Sequence, residues 1–299
     1  MSQQFQIISD SSCDLAPAFA EAHNVKIVPF YVSFDKETYY KEEVELPIRE
    51  LYQKMADDPE LFPKTSLPSI EDYINTFEPF VKEGIPVICI CISSKFSGSF
   101  NAASNAKNIL LDDYPDAKIA VIDSQLVTVL QGLFVTEAVR MQENGLSFEA
   151  SVEHLERIKD TGRIFFTTAD ISYLKTGGRI GKLMSVANNA LKIKPLILFK
   201  EGELFPVGVT RNRKKSLSKV LEQAKKYLTE MDDKIEDYSI ISGYGYDEEE
   251  GLAYRDMVLE EMETITEIDS VETFQIGATI GVHTGPHPIG VGILKRYDA

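Results

Sequence analysis

Pro86–Leu111 reads PVICICISSKFSGSFNAASNAKNILL: an apolar run, a loop of serines around one glycine, and then a helical stretch. Strand, polar loop and helix in that order are the unit from which parallel sheets are built. Working outward, the form recurs. Phe5–Ile8 leads into Ser9-Asp10-Ser11-Ser12, with Asp14 opening the helical stretch LAPAFAEAH. The strand VKIVPFYVSF is followed by an acidic, mostly helical insertion around residues 36–62 and then by Thr65-Ser66-Leu67-Pro68-Ser69, which introduces the helix EDYINTFEPFVKE. KIAVID ends at Asp123-Ser124. The mainly apolar helix LVTVLQGLFVTEAVRMQENG and the amphipathic SFEASVEHLERIKDTG close this first lobe at Gly162. The reading is α/β: a parallel-sheet lobe over residues 1–162, and a smaller α+β lobe over 163–299. In the latter, strands IFFTTAD, PLILFK, LFPVGVT, YSIISGYG and VETFQIG alternate with helices that include KLMSVANNALKI, residues 182–193.

The 299 residues, 43% hydrophobic and 26% charged, are enough for two such lobes with packed cores. The amino terminus shows no signal-peptide pattern, and no apolar run approaches the ~20 residues that span a bilayer. Cys13, Cys89 and Cys91 are an odd set, the last two read as facing opposite sides of a strand, so disulfides are not expected and a reducing cytoplasm fits. A net charge of −16 argues against nucleic-acid partners. Ten Lys and Arg against two acids between Lys175 and Lys215 form a basic island of +8, either a solvated surface or a landing site for a phosphate or an acidic partner.

Ligands of open parallel sheets bind at the carboxyl ends of the strands. Hydroxyls gather there: Ser11, Ser12, Thr65, Ser66, Ser69, Ser93, Ser94, Ser97, Ser99 and Ser124. Helix capping accounts for any one of them. Ser97-Gly98-Ser99 is the sharpest group, because Gly98 permits close backbone approach while the flanking hydroxyls donate. Phosphate-cradling loops, a dinucleotide fingerprint and a serine-hydrolase elbow are absent, and nothing calls for a cofactor. His283 and His287 are four apart, but Gly285, Pro286 and Pro288 make a loop of that stretch, against the helix a metal pair needs. His283 itself is placed near the end of an apolar strand, where it is able to donate to an anion. Cys13 at a helix start is a conceivable nucleophile, and a small buried cysteine is the plainer reading. Asp10 lacks the second aspartate that an aspartyl phosphatase carries two residues on, where Ser12 stands.

The order of motifs resembles the DegV family, fatty-acid-binding proteins that include the FakB-type subunit of bacterial fatty acid kinase. The residues that carry the resemblance are Asp10-Ser11-Ser12-Cys13-Asp14-Leu15, Thr65–Ser69, Ser93–Asn101, Asp123-Ser124, Tyr173–Ile180, Arg211–Lys215 and Gly281–Pro286. The resemblance implies an acyl chain in a tunnel between the two lobes, with its carboxylate on Thr65 and Ser97, beside Ser66 and Gly98 and with His283 close by. It also implies Arg179 and Arg211 facing an ATP-dependent kinase partner that makes the acyl phosphate. The chain departs from the family pattern at His287, where a glycine is usual. The competing reading is an enzyme, a phosphotransferase or hydrolase using Asp10, Cys13 or Ser97, although no base is paired by motif with these nucleophiles.

Overall fold

The computed structural model describes residues 5–169, 171–184 and 193–299. Most of the helix expected over 182–193 lies outside the described residues. The first part runs β1 (Gln6–Asp10), α1 (Pro17–Ala22), β2 (Lys26–Val28), β3 (Tyr31–Ser33), β4 (Tyr40–Lys41), α2 (Ile48–Asp57), β5 (Lys64–Ser66), α3 (Ile70–Lys82), β6 (Val87–Cys91), α4 (Ser99–Asp113), β7 (Ile119–Asp123), α5 (Thr128–Glu143) and α6 (Phe148–Ile158). The second runs β8 (Arg163–Thr167), α7 (Ser172–Thr176), β9 (Lys194–Lys200), β10 (Glu203–Thr210), α8 (Arg213–Glu230), β11 (Tyr238–Tyr244), α9 (Glu248–Met262), β12 (Glu272–Gln275), α10 (Ala278–Thr284) and β13 (Ile289–Lys295).

Strands β2-β1-β6-β7 form a parallel sheet. β1 and β6 are buried at every residue, as expected of parallel strands covered on both faces. α3 and α4 cover one face, with Tyr73, Phe77, Ala102 and Ala106 on Ile8, Val87 and Cys89. Cys89 and Cys91 share that face, Sγ to Sγ 3.7 Å, and do not oppose each other, because residues i and i+2 of a pleated strand point the same way. All three cysteines are free thiols.

The run Val25–Phe34 is two strands rather than one. Pro29, which has no N–H for a ladder, divides β2 from β3. β3 then turns into a separate antiparallel sheet, β4-β3-β5, so Thr65 and Ser66 lie on a strand and not in a strand-to-helix loop. The insertion packs through Leu46, Leu51 and Met55 against Tyr173, Ala278 and Val282.

The six-stranded sheet β10-β9-β8-β13-β11-β12 is antiparallel except for the β11/β12 pair. α8 and α9 cover its outer face with Leu217, Val220, Leu228, Tyr254 and Val258. Its inner face packs on α5. Twelve of the sixteen α5 residues are buried, and its apolar side chains belong to one core with Ile7 and Ile88 of the first sheet and Ile197 and Ile241 of the second. A helix apolar on all sides has to be covered on all sides.

Gly132 lets α5 sit that close: a Cβ there would lie 2.5 Å from the Cys13 carbonyl oxygen, a backbone atom. Gly132→Ala gains about 1 kcal/mol of helix propensity but forces α5 off the turn after β1. Set against the ~1–3 kcal/mol cost of overpacking, this leaves a net loss of up to about 2 kcal/mol, expected in chemical denaturation. A stabilised variant would show that the contact is relieved without strain.

Candidate functional site

Between the first sheet, the three-stranded sheet and the inner face of the six-stranded sheet lies a cavity of about 230 Å³. Phe30, Ile92, Phe96, Ile164, Phe166 and Phe199 supply apolar wall, and Val127–Val129 at the start of α5 supply another part of it. Polar side chains are few: Thr65, Ser66, Ser97, Thr128, Arg179, Thr279, His283 and Thr284. Of the residues singled out in the sequence, Thr65, Ser66, Ser97, His283 and Arg179 are thus brought to one cavity. Gly98 is not among its lining residues; a Cβ there would meet Leu67 Cδ2 at 3.2 Å. Arg211 is exposed and also does not line the cavity. The remaining hydroxyls have structural partners. Ser69 caps α3 in a capping box, Ser94 Oγ donates to Asp123 at 2.5 Å, Ser124 Oγ accepts from Leu126 N, and Ser12 and Ser99 close on Asp10.

His283 lies on the short helix α10, not on a strand. Gly285 at φ +78° ends that helix and turns the chain toward β13. Its Nε2 is 3.1 Å from Thr65 Oγ1, while Nδ1 is buried without a partner. Burial, helped by the nearby charges of Arg179 and Lys64, lowers its pKa to about 4, so the ring is neutral at neutral pH. A neutral ring has one N–H. On Nδ1 it would be a buried donor with no acceptor, so it belongs on Nε2, donating to Thr65. The Thr65 hydroxyl hydrogen is then left for the cavity. Ser97 is arranged alike: Ser99 N donates to its Oγ at 3.2 Å, so its hydrogen is also uncommitted. Arg179 stands at the exposed rim, pinned by Nε to Phe96 O at 3.2 Å and by Nη1 to Gly177 O at 2.7 Å. The arrangement offers two neutral donors and one guanidinium to an anionic group whose remainder is apolar.

Asp10 and Cys13 are fully buried and do not line this cavity. Burial pushes the Cys13 thiol far up, away from the thiolate. His287 is half-buried, edge-on to Tyr246, and its pKa is lowered by burial and by Arg213. Among the described residues no group of three or more His, Cys, Asp and Glu is placed to hold a metal ion, and no helix is long and apolar enough to cross a membrane.

Sequence reasoning missed the polar wall behind the cavity. Thr128 Oγ1 donates to Asp14 Oδ2 at 2.5 Å, and Thr279 Oγ1 donates to Glu42 Oε2 at 2.7 Å. Burial raises the pKa of both carboxyls, and their proximity raises that of Asp14 further. Beyond them opens a wider cleft of about 650 Å³, bounded by Asp14, Glu42, Glu43, Lys26 and Arg49. It is the larger space, but neither Thr65 nor Ser97 lines it. Asp14 stood in a recognised motif; Glu42 carries no local signal at all.

The DegV family model, described as an uncharacterised protein of the DegV family, matches residues 4–296. A DegV domain-containing protein of Clostridium perfringens is 30% identical over 291 residues, 97% of this chain and 99% of that one. Among solved structures, a stearic acid-binding protein from Eubacterium ventriosum is 47% identical with a TM-score of 0.93, covering 98% of this chain and 99% of that one. A Thermus thermophilus DegV family protein, whose structure is described by its fatty acid binding, is 27% identical with a TM-score of 0.86 over the same shares. The chain belongs to the DegV family.

His283 gives a pH prediction. Its pKa is about 4 in the folded protein against about 6.5 unfolded. Between those values the unfolded chain takes up a proton that the native state refuses, so stability falls as pH drops through the window, by on the order of 2–3 kcal/mol. His283→Gln should flatten that part of the stability profile in denaturant titrations. An unchanged profile would mean that the ring titrates alike in the folded and the unfolded chain.

Proposed function

We propose that this protein binds one long-chain fatty acid in the cavity and does not transform it by itself. The carboxylate sits on the Thr65 and Ser97 hydroxyls, with Ser66 beside them and His283 behind Thr65. The observation that carries this reading is the cavity itself: apolar over most of its wall, with two hydroxyls whose oxygens already accept from other groups and whose hydrogens remain for an anion. The fatty acids named for the Eubacterium and Thermus relatives support it. Burying about 15 methylenes at ~0.8 kcal/mol each provides roughly 12 kcal/mol before ordering costs, so affinity resides in the tail. Neutral donors orient the head while leaving one carboxylate oxygen reachable. The burial of Asp10 and Cys13 weighs against the alternative of a phosphotransferase or hydrolase built on them.

In this reading an ATP-dependent kinase subunit phosphorylates the bound carboxylate, with Arg179 at the rim and Arg211 on the basic surface facing it. Arg213 is already paired with Glu250, so among the described arginines of the island Arg211 and the Nη2 end of Arg179, whose Nε and Nη1 hold backbone carbonyls, are left to grip a phosphate.

Denaturing mass spectrometry of the purified protein should release about one fatty acid per chain, and its absence would refute the proposal. Ser97→Ala should weaken head-group binding by about 1.5–3 kcal/mol; unchanged lipid exchange in the Thr65→Ala, Ser97→Ala double variant would remove both from the site. Arg179→Ala and Arg211→Ala should keep their lipid but lose acyl-phosphate formation with the kinase, and partner association should slow as salt rises. Full activity in both variants would make the island a solvated surface.

A further inference from the structure

Asp10, at the end of β1, is 0% exposed and sits in a closed polar network. Ser12 Oγ and Gln131 Nε2 approach its Oδ1 at 2.6 and 2.9 Å; Ser99 Oγ and Ile92 N approach Oδ2 at 2.7 and 3.0 Å. Ser12 Oγ is also 2.9 Å from Gln131 Oε1. Ser12 has a single hydrogen, and with Asp10 ionised both of these neighbours are acceptors, so one short oxygen–oxygen contact holds no hydrogen. Turning the Gln131 amide over does not help, since its oxygen then faces Asp10 Oδ1 with nothing between. Either orientation is short of one proton.

A proton on Asp10 Oδ1 completes the set. Asp10 donates to Ser12, Ser12 to Gln131 Oε1, and Gln131 Nε2 to both Asp10 Oδ1 and Ser9 Oγ, the latter at 3.2 Å; Ser9 donates to Ile90 O at 2.9 Å. On the other side Tyr73 donates to Ser99 Oγ at 2.6 Å, and Ser99 donates to Asp10 Oδ2. Every contact then carries one hydrogen. Desolvation acts in the same direction, raising the Asp10 pKa.

We infer that Asp10 is a positioning residue for the head-group site: a neutral carboxylic acid that locks Ser99, so that the Ser99 amide occupies the Ser97 oxygen and leaves the Ser97 hydrogen for the ligand. The inference rests on the fatty-acid reading above. Neutrality matters here, because an ionised Asp10 would place an unpaired negative charge beneath a site that binds a carboxylate. The acid's oxygens are all engaged inside the protein, so its effect on the ligand passes through Ser99 and Ser97.

The test compares palmitic acid with the alcohol of the same chain length, using the full chain stripped of lipid. Binding of palmitic acid to the unaltered protein is the control for the reading itself; without it the fatty-acid assignment fails whatever Asp10 does. Given that binding, Asp10→Asn, also neutral and able to donate once Gln131 turns over, should stay within about threefold of the unaltered protein for the acid. Asp10→Ala should lose roughly tenfold for the acid and several-fold less for the alcohol, since only a charged head group makes the stronger hydrogen bond. Ser99→Ala, which keeps the amide but cuts the link to Asp10, serves if Asp10→Ala does not fold and should show the same acid-selective loss. Equal losses for acid and alcohol would reduce the network to a packing role, and a loss in Asp10→Asn as large as in Asp10→Ala would overturn the neutral acid.

Discussion

The structure depends on α5 being buried on every side. A surface helix needs one apolar face, whereas α5 offers apolar side chains all round, and two sheets close on it from opposite directions. The cavity exists because the helix starts there: Val127–Val129 line it where the chain has not yet settled into helical backbone. Thr128 sits at φ +52°, an unfavourable conformation for a β-branched residue. The surroundings hold it there, with Asp14, itself at φ +52°, accepting its hydroxyl. Strain of this kind next to a ligand cavity persists only where packing over-determines it.

The polar groups around the cavity answer a second constraint. The chain carries a net charge of −16, with Asp10, Asp14 and Glu42 buried close behind the site. An anion is admitted to such a place only if those carboxyls are neutral or screened. Burial raises all three pKa values, and their hydrogen bonds come from hydroxyls and amides rather than from cations. Among the described residues Arg179 is the one cation lining the cavity, and it stands at the exposed rim. In the proposed site a tight buried ion pair would resist release of a bound acid, whereas hydroxyl donors would orient it at less cost to exchange.

The parallel sheet, the serine loop before α4 and the division into strand-loop-helix units were legible because each is a local pattern: apolar runs of strand length and small polar residues at helix starts. Ser97 was found this way. Thr65 and His283 came from motif order, and the distance in sequence between them hides their contact. The break at Pro29 was readable in principle, since proline withdraws a ladder donor, but the turn into a second sheet was not. The helix around His283 was obscured by the glycines beside it.

By itself the sequence determined that the first part is built of strand-loop-helix units, that α5 is mainly apolar, and which hydroxyls gather near the strand ends. Tertiary structure alone decided which hydroxyls face the cavity and which are spent on caps, because that depends on whether a neighbouring donor or acceptor from a distant segment has already claimed them. It also decided that Gln131, Tyr73 and Glu42 matter. Their partners lie 121, 26 and 237 residues away, and hydrogen bonds of that separation leave no periodicity or spacing in the chain to be read.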